Sequence, residues 1–134
     1  MKPNLLKVGQ TSIMTISRYF LGGKIPKPKL IIINERLAEV GFEPDTLVII
    51  DCQDGIITLT AKDSGIESYR QLVQEVRRNG QKLVQVTQNK NRSQVEIMGD
   101  WLSEHGFEMD DIILVRYDYG KIQVKKLDLE QCWS

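Results

Sequence analysis

One segment of this chain occurs twice. Leu30-Ile31-Ile32-Ile33-Asn34-Glu35-Arg36-Leu37-Ala38-Glu39-Val40-Gly41-Phe42-Glu43-Pro44-Asp45 lies over Val95-Glu96-Ile97-Met98-Gly99-Asp100-Trp101-Leu102-Ser103-Glu104-His105-Gly106-Phe107-Glu108-Met109-Asp110 at a constant offset of 65 residues. The register continues without a gap through Leu47–Ile50 against Ile112–Val115, Gly55 against Gly120, and Ile57–Leu59 against Ile122–Val124. Across residues 30–60 nine positions are identical, and eight of the others exchange one apolar residue for another. Such a period marks a supersecondary unit that buries its apolar face only against a neighbour. With 134 residues in all, two small units packed on each other are expected, which together can bury roughly two thirds of the unfolded surface.

Each copy reads as the same structure. An extended segment (Lys29–Ile33, Gln94–Met98) leads into a short helix (Glu35–Val40, Asp100–His105), stopped by Gly41 or Gly106 at the position where a left-handed residue costs glycine little. Phe42 or Phe107 then folds back on the helix. Two strands follow, Thr46–Asp51 and Ile56–Ala61 in the first copy, Asp111–Tyr117 and Lys121–Lys126 in the second. Turns at Asp54-Gly55 and Tyr119-Gly120 join them as hairpins. A further strand precedes each unit, Leu5–Val8 or Ile13–Ser17 in the first copy and Lys82–Thr87 in the second. Between the copies lies a helix with a Ser64-x-x-Glu67 capping box, an apolar stripe of Ile66, Tyr69, Leu72, Val73 and Val76, and Gly80 at its end. The expected class is mainly β with short helices (α+β), organised as repeat 1 over residues 1–61, a connecting helix over 62–80 and repeat 2 over 81–134.

Charge follows the duplication. The chain carries 18 basic and 18 acidic residues and a formal net charge of zero. Along it run blocks of +6 (1–34), −5 (35–61), +4 (62–92) and −5 (93–134). As a total, neutrality argues against a nucleic-acid partner; resolved into blocks, it describes two units, each basic first and acidic second. The composition is ordinary for a globular protein, at 41% hydrophobic and 27% charged, and excludes disorder as the dominant state. No run approaches the roughly 18 apolar residues of a membrane span, and Met1–Gln10 lacks the pattern of a signal peptide. A cytoplasmic protein with no membrane partner is expected.

With Ile25-Pro26, an apolar strand, Asn34-Glu35-Arg36-Leu37-Ala38-Glu39-Val40-Gly41-Phe42, an acidic turn, the Gly55 hairpin and its ending Ile57-Thr58-Leu59-Thr60-Ala61, the first copy resembles the SymE toxin family. Ser17-Arg18-Tyr19 matches that family's Ser-Arg-Tyr segment. The resemblance covers most of residues 5–61 and, more weakly, 82–127. It implies the AbrB/MazE swapped-hairpin fold, in which two half-barrels interlock and bind nucleic acid through basic residues near the N-terminal strands and loops. Here the two halves form an intramolecular pseudo-dimer, as a monomer or a further homodimer. The resemblance also implies toxin–antitoxin biology, with endoribonuclease activity in the family and an antitoxin or other protein as partner. One departure concerns the start of each copy: aligning Leu5–Gln10 with Leu83–Gln88 shifts the offset to 78, leaves thirteen residues around Ser12–Lys24 without a counterpart, and removes the Ser-Arg-Tyr segment from the second copy.

The candidate contacts to RNA or DNA are Arg18, Lys24, Lys27 and Lys29, with Tyr19 and Phe20 interleaved, because cations neutralise phosphates and an exposed aromatic ring stacks on a base. Against this stands a solvated basic loop with both aromatics in the core. Arg77, Arg78, Lys82, Lys90 and Arg92 form a second basic group, or an ordinary solvated helix end and turn. Catalytic residues are not nameable: the only histidine, His105, stands where the first copy has Val40, which favours packing or capping, and Glu39 and Glu104 read as solvated helix acids. Asp100, Glu104, Glu108, Asp110 and Asp111 cluster without matching a cation-binding loop. Cys52 and Cys132 form no C-x-x-C pair, so neither a metal nor a cofactor is expected. Cys52 reads as a small, partly buried apolar residue, and Trp101 and Trp133 as packing. The competing reading is a protein-binding regulator or inhibitor, antitoxin-like or phage-encoded, that uses the acidic face of repeat 2.

Overall fold

Alternation of apolar and polar residues along each extended segment builds two antiparallel sheets that share one core. The computed structural model describes residues 10–20, 25–62 and 69–127. Its elements are β1 (Gln10–Thr15), β2 (Ser17–Tyr19), β3 (Lys27–Asn34), α1 (Arg36–Glu39), β4 (Leu47–Gln53), β5 (Ile56–Lys62), α2 (Tyr69–Arg78), β6 (Lys82–Gln85), β7 (Thr87–Asn89), β8 (Arg92–Met98), α3 (Asp100–Glu104), β9 (Ile112–Asp118) and β10 (Lys121–Lys126). The larger sheet has the order β1-β9-β10-β5-β4-β6, the smaller β2-β3-β8-β7. The fold is thus mainly β with short helices. No helix among the described residues is long and apolar enough to cross a membrane.

The pairings come in matched sets. β1 lies on β9 as β6 lies on β4, so each repeat lends its first strand to the other's hairpin. Within each repeat, β2 pairs with β3 and β7 with β8. At the centre the repeats meet twice, β5 against β10 with Thr58 opposite Gln123, and β3 against β8 with Ile31 opposite Glu96. In both of those pairs the two residues are 65 apart, so an approximate two-fold axis passes through both sheets.

This arrangement revises the alignment of the first strands. Thr15 opposes Ile112 while Gln85 opposes Leu47. Ile16 N–H donates to the Asp111 carbonyl at 2.9 Å, and Val86 N–H to the Thr46 carbonyl at the same distance. The offset here is therefore 70, not 78, and the second copy lacks five residues, not thirteen. They fall between β2 and β3, where residues 20–26 correspond to a turn of only residues 90–91. Ser17-Arg18-Tyr19 does have a counterpart, Thr87-Gln88-Asn89. The sequence reading went astray because β1 and β6 share hardly any residue types; what they share is a place in the ladder. Ile16 and Val86, both fully buried, are the corners at which the chain passes from one sheet to the other.

The core is filled evenly from both copies: Leu30, Ile32, Leu37, Phe42, Val48, Ile50, Ile57 and Leu59 from the first, and Val95, Ile97, Leu102, Phe107, Ile113, Val115, Ile122 and Val124 from the second. Both short helices end the same way. Phe42 N–H donates to the Leu37 carbonyl at 2.7 Å and Gly41 N–H to that of Ala38 at 3.2 Å; Phe107 and Gly106 repeat this with Leu102 and Ser103 at 2.8 and 3.0 Å. This is the Schellman arrangement, which needs a left-handed residue at the glycine, and Gly41 and Gly106 have φ of 96° and 87°. The stop brings each phenylalanine back beneath its own helix, fully buried. The described part of the connecting helix, α2, buries Val76. Its capping-box residues Ser64 and Glu67, the alternative strand Leu5–Val8, and Cys132 and Trp133 lie outside the described residues.

Candidate nucleic-acid interface

Strand pairing decides which of the candidate cations share a surface. On β3, Pro28, Leu30 and Ile32 face the core, so Lys27, Lys29, Ile31 and Ile33 face outward. On β8, Ser93, Val95 and Ile97 are buried, and Arg92, Gln94, Glu96 and Met98 face outward. Residues opposed in an antiparallel pair lie on the same face. Tyr19 opposes Lys27 and Asn89 opposes Arg92, which adds Tyr19 and Asn89 to this outer face. Lys27 and Arg92 are repeat equivalents, and along the strand direction Arg92 lies roughly 20 Å from the level of Lys29, six residues at strand rise.

Each described cation of the first block is held by an acid of the fourth. Arg18 pairs with Asp110, Lys27 Nζ with Asp100 at 2.7 Å, and Lys29 Nζ with Glu96 at 3.3 Å. Lys29 Nζ also lies 6.0 Å from the centre of the Tyr19 ring, within the range of a cation–π contact. The hydrogen bond to Asp100, reinforced by that carboxylate's charge, raises the Lys27 ammonium above the ordinary lysine value of 10.5. The alternating charge blocks thus match complementary surfaces between the repeats. Arg18 and Asp110, and Lys27 and Asp100, remain largely exposed as pairs, while Lys29 and Glu96 are half-buried. Tyr19 is half-buried. Phe20 and Ile25, beside the loop between β2 and β3, are 59% and 74% exposed, so Phe20 does not pack in the core. Lys24 lies outside the described residues.

The second basic group divides. Arg77 and Arg78 are exposed at the end of α2, with the half-buried Lys82 nearby at the start of β6, in the larger sheet. Lys90 and Arg92, both exposed, frame the turn between β7 and β8 in the smaller one. None of the five forms an ion pair among the described residues. Only Arg92 shares the outer face with Lys27 and Lys29.

Other candidates take structural places. His105 closes α3 and packs its ring on Trp101, with centroids 4.3 Å apart, and Trp101 Nε1 donates to the Gly80 carbonyl at 3.3 Å, tying α3 to the end of α2. Glu39 and Glu104 are exposed. The acids of repeat 2 are engaged separately: besides the pairs above, Asp111 accepts from the Glu108 N–H at 2.8 Å and Glu108 from the Ser103 hydroxyl at 3.2 Å. No three His, Cys, Asp or Glu side chains converge among the described residues. Cys52 is half-buried, and burial, then the neighbouring Asp51 charge, pushes its thiol up despite the backbone N–H of Gly55. A thiol so placed is a poor nucleophile.

Two features escape the sequence pattern. The partners Asp100 and Asp110 are signalled only by the opposite signs of the first and last charge blocks. Tyr117, the repeat equivalent of Cys52, is fully buried. Its hydroxyl accepts from Asn34 Nδ2 at 3.0 Å and shares a hydrogen bond with Ser12 Oγ at 3.0 Å, while Asn34 Oδ1 accepts from the Leu37 N–H at the start of α1. Comparison of the chain with protein-family models, with curated proteins and with solved structures finds no match.

Proposed function

We propose that this chain is a nucleic-acid-binding protein of SymE-like, AbrB-type build, with two swapped-hairpin halves in one intramolecular pseudo-dimer. In this reading it contacts RNA or DNA through the outer face of the smaller sheet, with Lys27 and Lys29 on phosphates beside Tyr19 as a stacking ring, and Arg92 on a phosphate roughly 20 Å further along the strands. The supporting observation is the juxtaposition itself: two repeats put cations and an aromatic ring on one solvent-facing sheet surface. The mutual exchange of first strands between the repeats supports the swapped-hairpin reading. The Lys27–Asp100 pair is compatible with it, since an exposed pair contributes little and a phosphate oxygen can take the place of a carboxylate oxygen; the half-buried Lys29–Glu96 pair would have to open in the same way.

Binding of labelled RNA, single-stranded DNA and duplex DNA, measured across a salt series, tests the proposal. Affinity should fall steeply with salt, because bound phosphates release counterions. A double Lys27→Ala, Lys29→Ala variant should bind about tenfold more weakly and lower the salt slope by about two phosphates' worth. Asp100→Asn, which frees Lys27, should tighten binding. Absence of affinity for all three at low salt would end the reading.

A further inference from the structure

The larger sheet ends in two strands that are repeat equivalents and are finished differently. β6 has four residues, begins with Lys82, and lies against α2, where Tyr69, Val73 and Val76 line a cleft with Leu83. β1 has six residues, Gln-Thr-Ser-Ile-Met-Thr, with no charge and no proline. No strand among the described residues pairs with its outer edge. Ile13, the equivalent of the half-buried Leu83, is 64% exposed, and its neighbour Ile112 is 38% exposed. Edge strands are ordinarily protected by brevity, by lysine or by a covering helix. β6 has all three, and among the described residues β1 has none.

The hydrogen-bond alternation shows what β1 offers. Ile16 turns both its N–H and its carbonyl toward the β9 side, to Asp111 and Asp110. In an antiparallel ladder the direction reverses at every residue, so Met14 and Ser12 also face β9, whereas Thr11, Ile13 and Thr15 present their N–H and carbonyl groups outward. We propose that β1 is a dimerisation edge: two copies of the chain pair their β1 strands antiparallel about a two-fold axis at Ile13, joining their larger sheets into one. In that register Ile13 opposes its own copy and Thr11 opposes Thr15, about six inter-chain hydrogen bonds form, and the Ile13 side chains meet between the Ile112 and Leu114 side chains of both copies. A second copy is the occupant that fits. The strand is uncharged and matches itself without like-charge repulsion, and the molecule's zero net charge adds no long-range repulsion between copies. None of the residues proposed to touch nucleic acid takes part.

Sedimentation equilibrium from micromolar to submillimolar protein should show the weight-average mass rising toward twice the chain mass. Ile13→Lys, at an exposed position, should abolish the rise while the far-ultraviolet circular dichroism is kept. Amide exchange at Thr11, Ile13 and Thr15 should slow at high concentration, with Ser12 and Met14 protected throughout. A chain that stays monomeric, a dimer that survives Ile13→Lys, or exchange at Thr11, Ile13 and Thr15 that ignores concentration would each overturn the proposal. The last measurement needs only the natural chain, so it decides the matter even if the variant does not fold.

Discussion

Repeat 1 sets Lys27 and Lys29 on the outer face of β3, where repeat 2 sets Arg92 and Gln94 on β8; at the next two outward positions, Ile31 and Ile33 stand against Glu96 and Met98. Both copies keep most of the same buried positions, the same helix stop, the same pairings and three exposed acids (Glu39/Glu104, Glu43/Glu108, Asp45/Asp110), while the outer faces of β3 and β8 and the two edge strands have diverged. The difference teaches how a duplicated unit specialises without losing its fold. Core positions are constrained twice over, since each strand packs against its own copy and against the other. Outer positions are free to become complementary, and the pairs Arg18–Asp110, Lys27–Asp100 and Lys29–Glu96 each join a cation of one repeat to an acid of the other.

The sharpest test of the shared core is Phe42→Ala against Phe107→Ala. Both rings are fully buried beneath equivalent helix stops, and each truncation should cost about 3–5 kcal/mol by urea denaturation; a much smaller cost for one would show that the copies do not carry the core equally. Tyr117→Phe probes a difference. It leaves Asn34 Nδ2 and Ser12 without their shared partner and should destabilise by about 1–2 kcal/mol, with nothing comparable available to Cys52 in repeat 1. Gly41→Ala and Gly106→Ala both meet an unfavourable φ, each costing about 1 kcal/mol. The two losses should be equal, because an added Cβ at Gly41 makes only ordinary contact with the Tyr119 ring at 3.5 Å and Gly106 has open space there. A clearly larger loss at one would show that more than the backbone conformation differs between the two stops.

The smallest effect concerns pH. The Lys27 ammonium has a raised pKa in the folded state, so what its pair with Asp100 contributes is fully present below the ordinary lysine value of 10.5 and is lost as pH rises through the higher folded value. The stability difference between the natural chain and Asp100→Asn should therefore be constant from neutral pH to about 10 and shrink above about 10.5. A difference that stays flat through that range would assign the contribution of Asp100 to something other than Lys27.

Much of the fold was legible in the residues. The constant 65-residue offset, the Leu-x-x-x-Gly-Phe stop and the alternation in β3–β5 and β8–β10 are local patterns, and each is realised where the pattern places it. The first strands were not legible, because β1 and β6 align only through what they pair with: Thr15 with Ile112, Gln85 with Leu47. The candidate cations could be named from the sequence, but not their neighbours. Arg92 joins Lys27 on one face while Arg77, Arg78 and Lys82 go to the other sheet, and no local pattern records that division.

By itself, then, the sequence determined that two copies of a small β unit exist, where each helix stops and which side of each strand is apolar, because these follow from the intrinsic preferences of glycine and from two-residue periodicity. Only the tertiary structure decided that the copies exchange their first strands, that the described cations of the first block meet acids of the last, and that no strand among the described residues pairs with the outer edge of β1. Those outcomes depend on register between residues from about 30 to more than 100 positions apart, and register is set by the whole ladder and the shared core rather than by any segment within it.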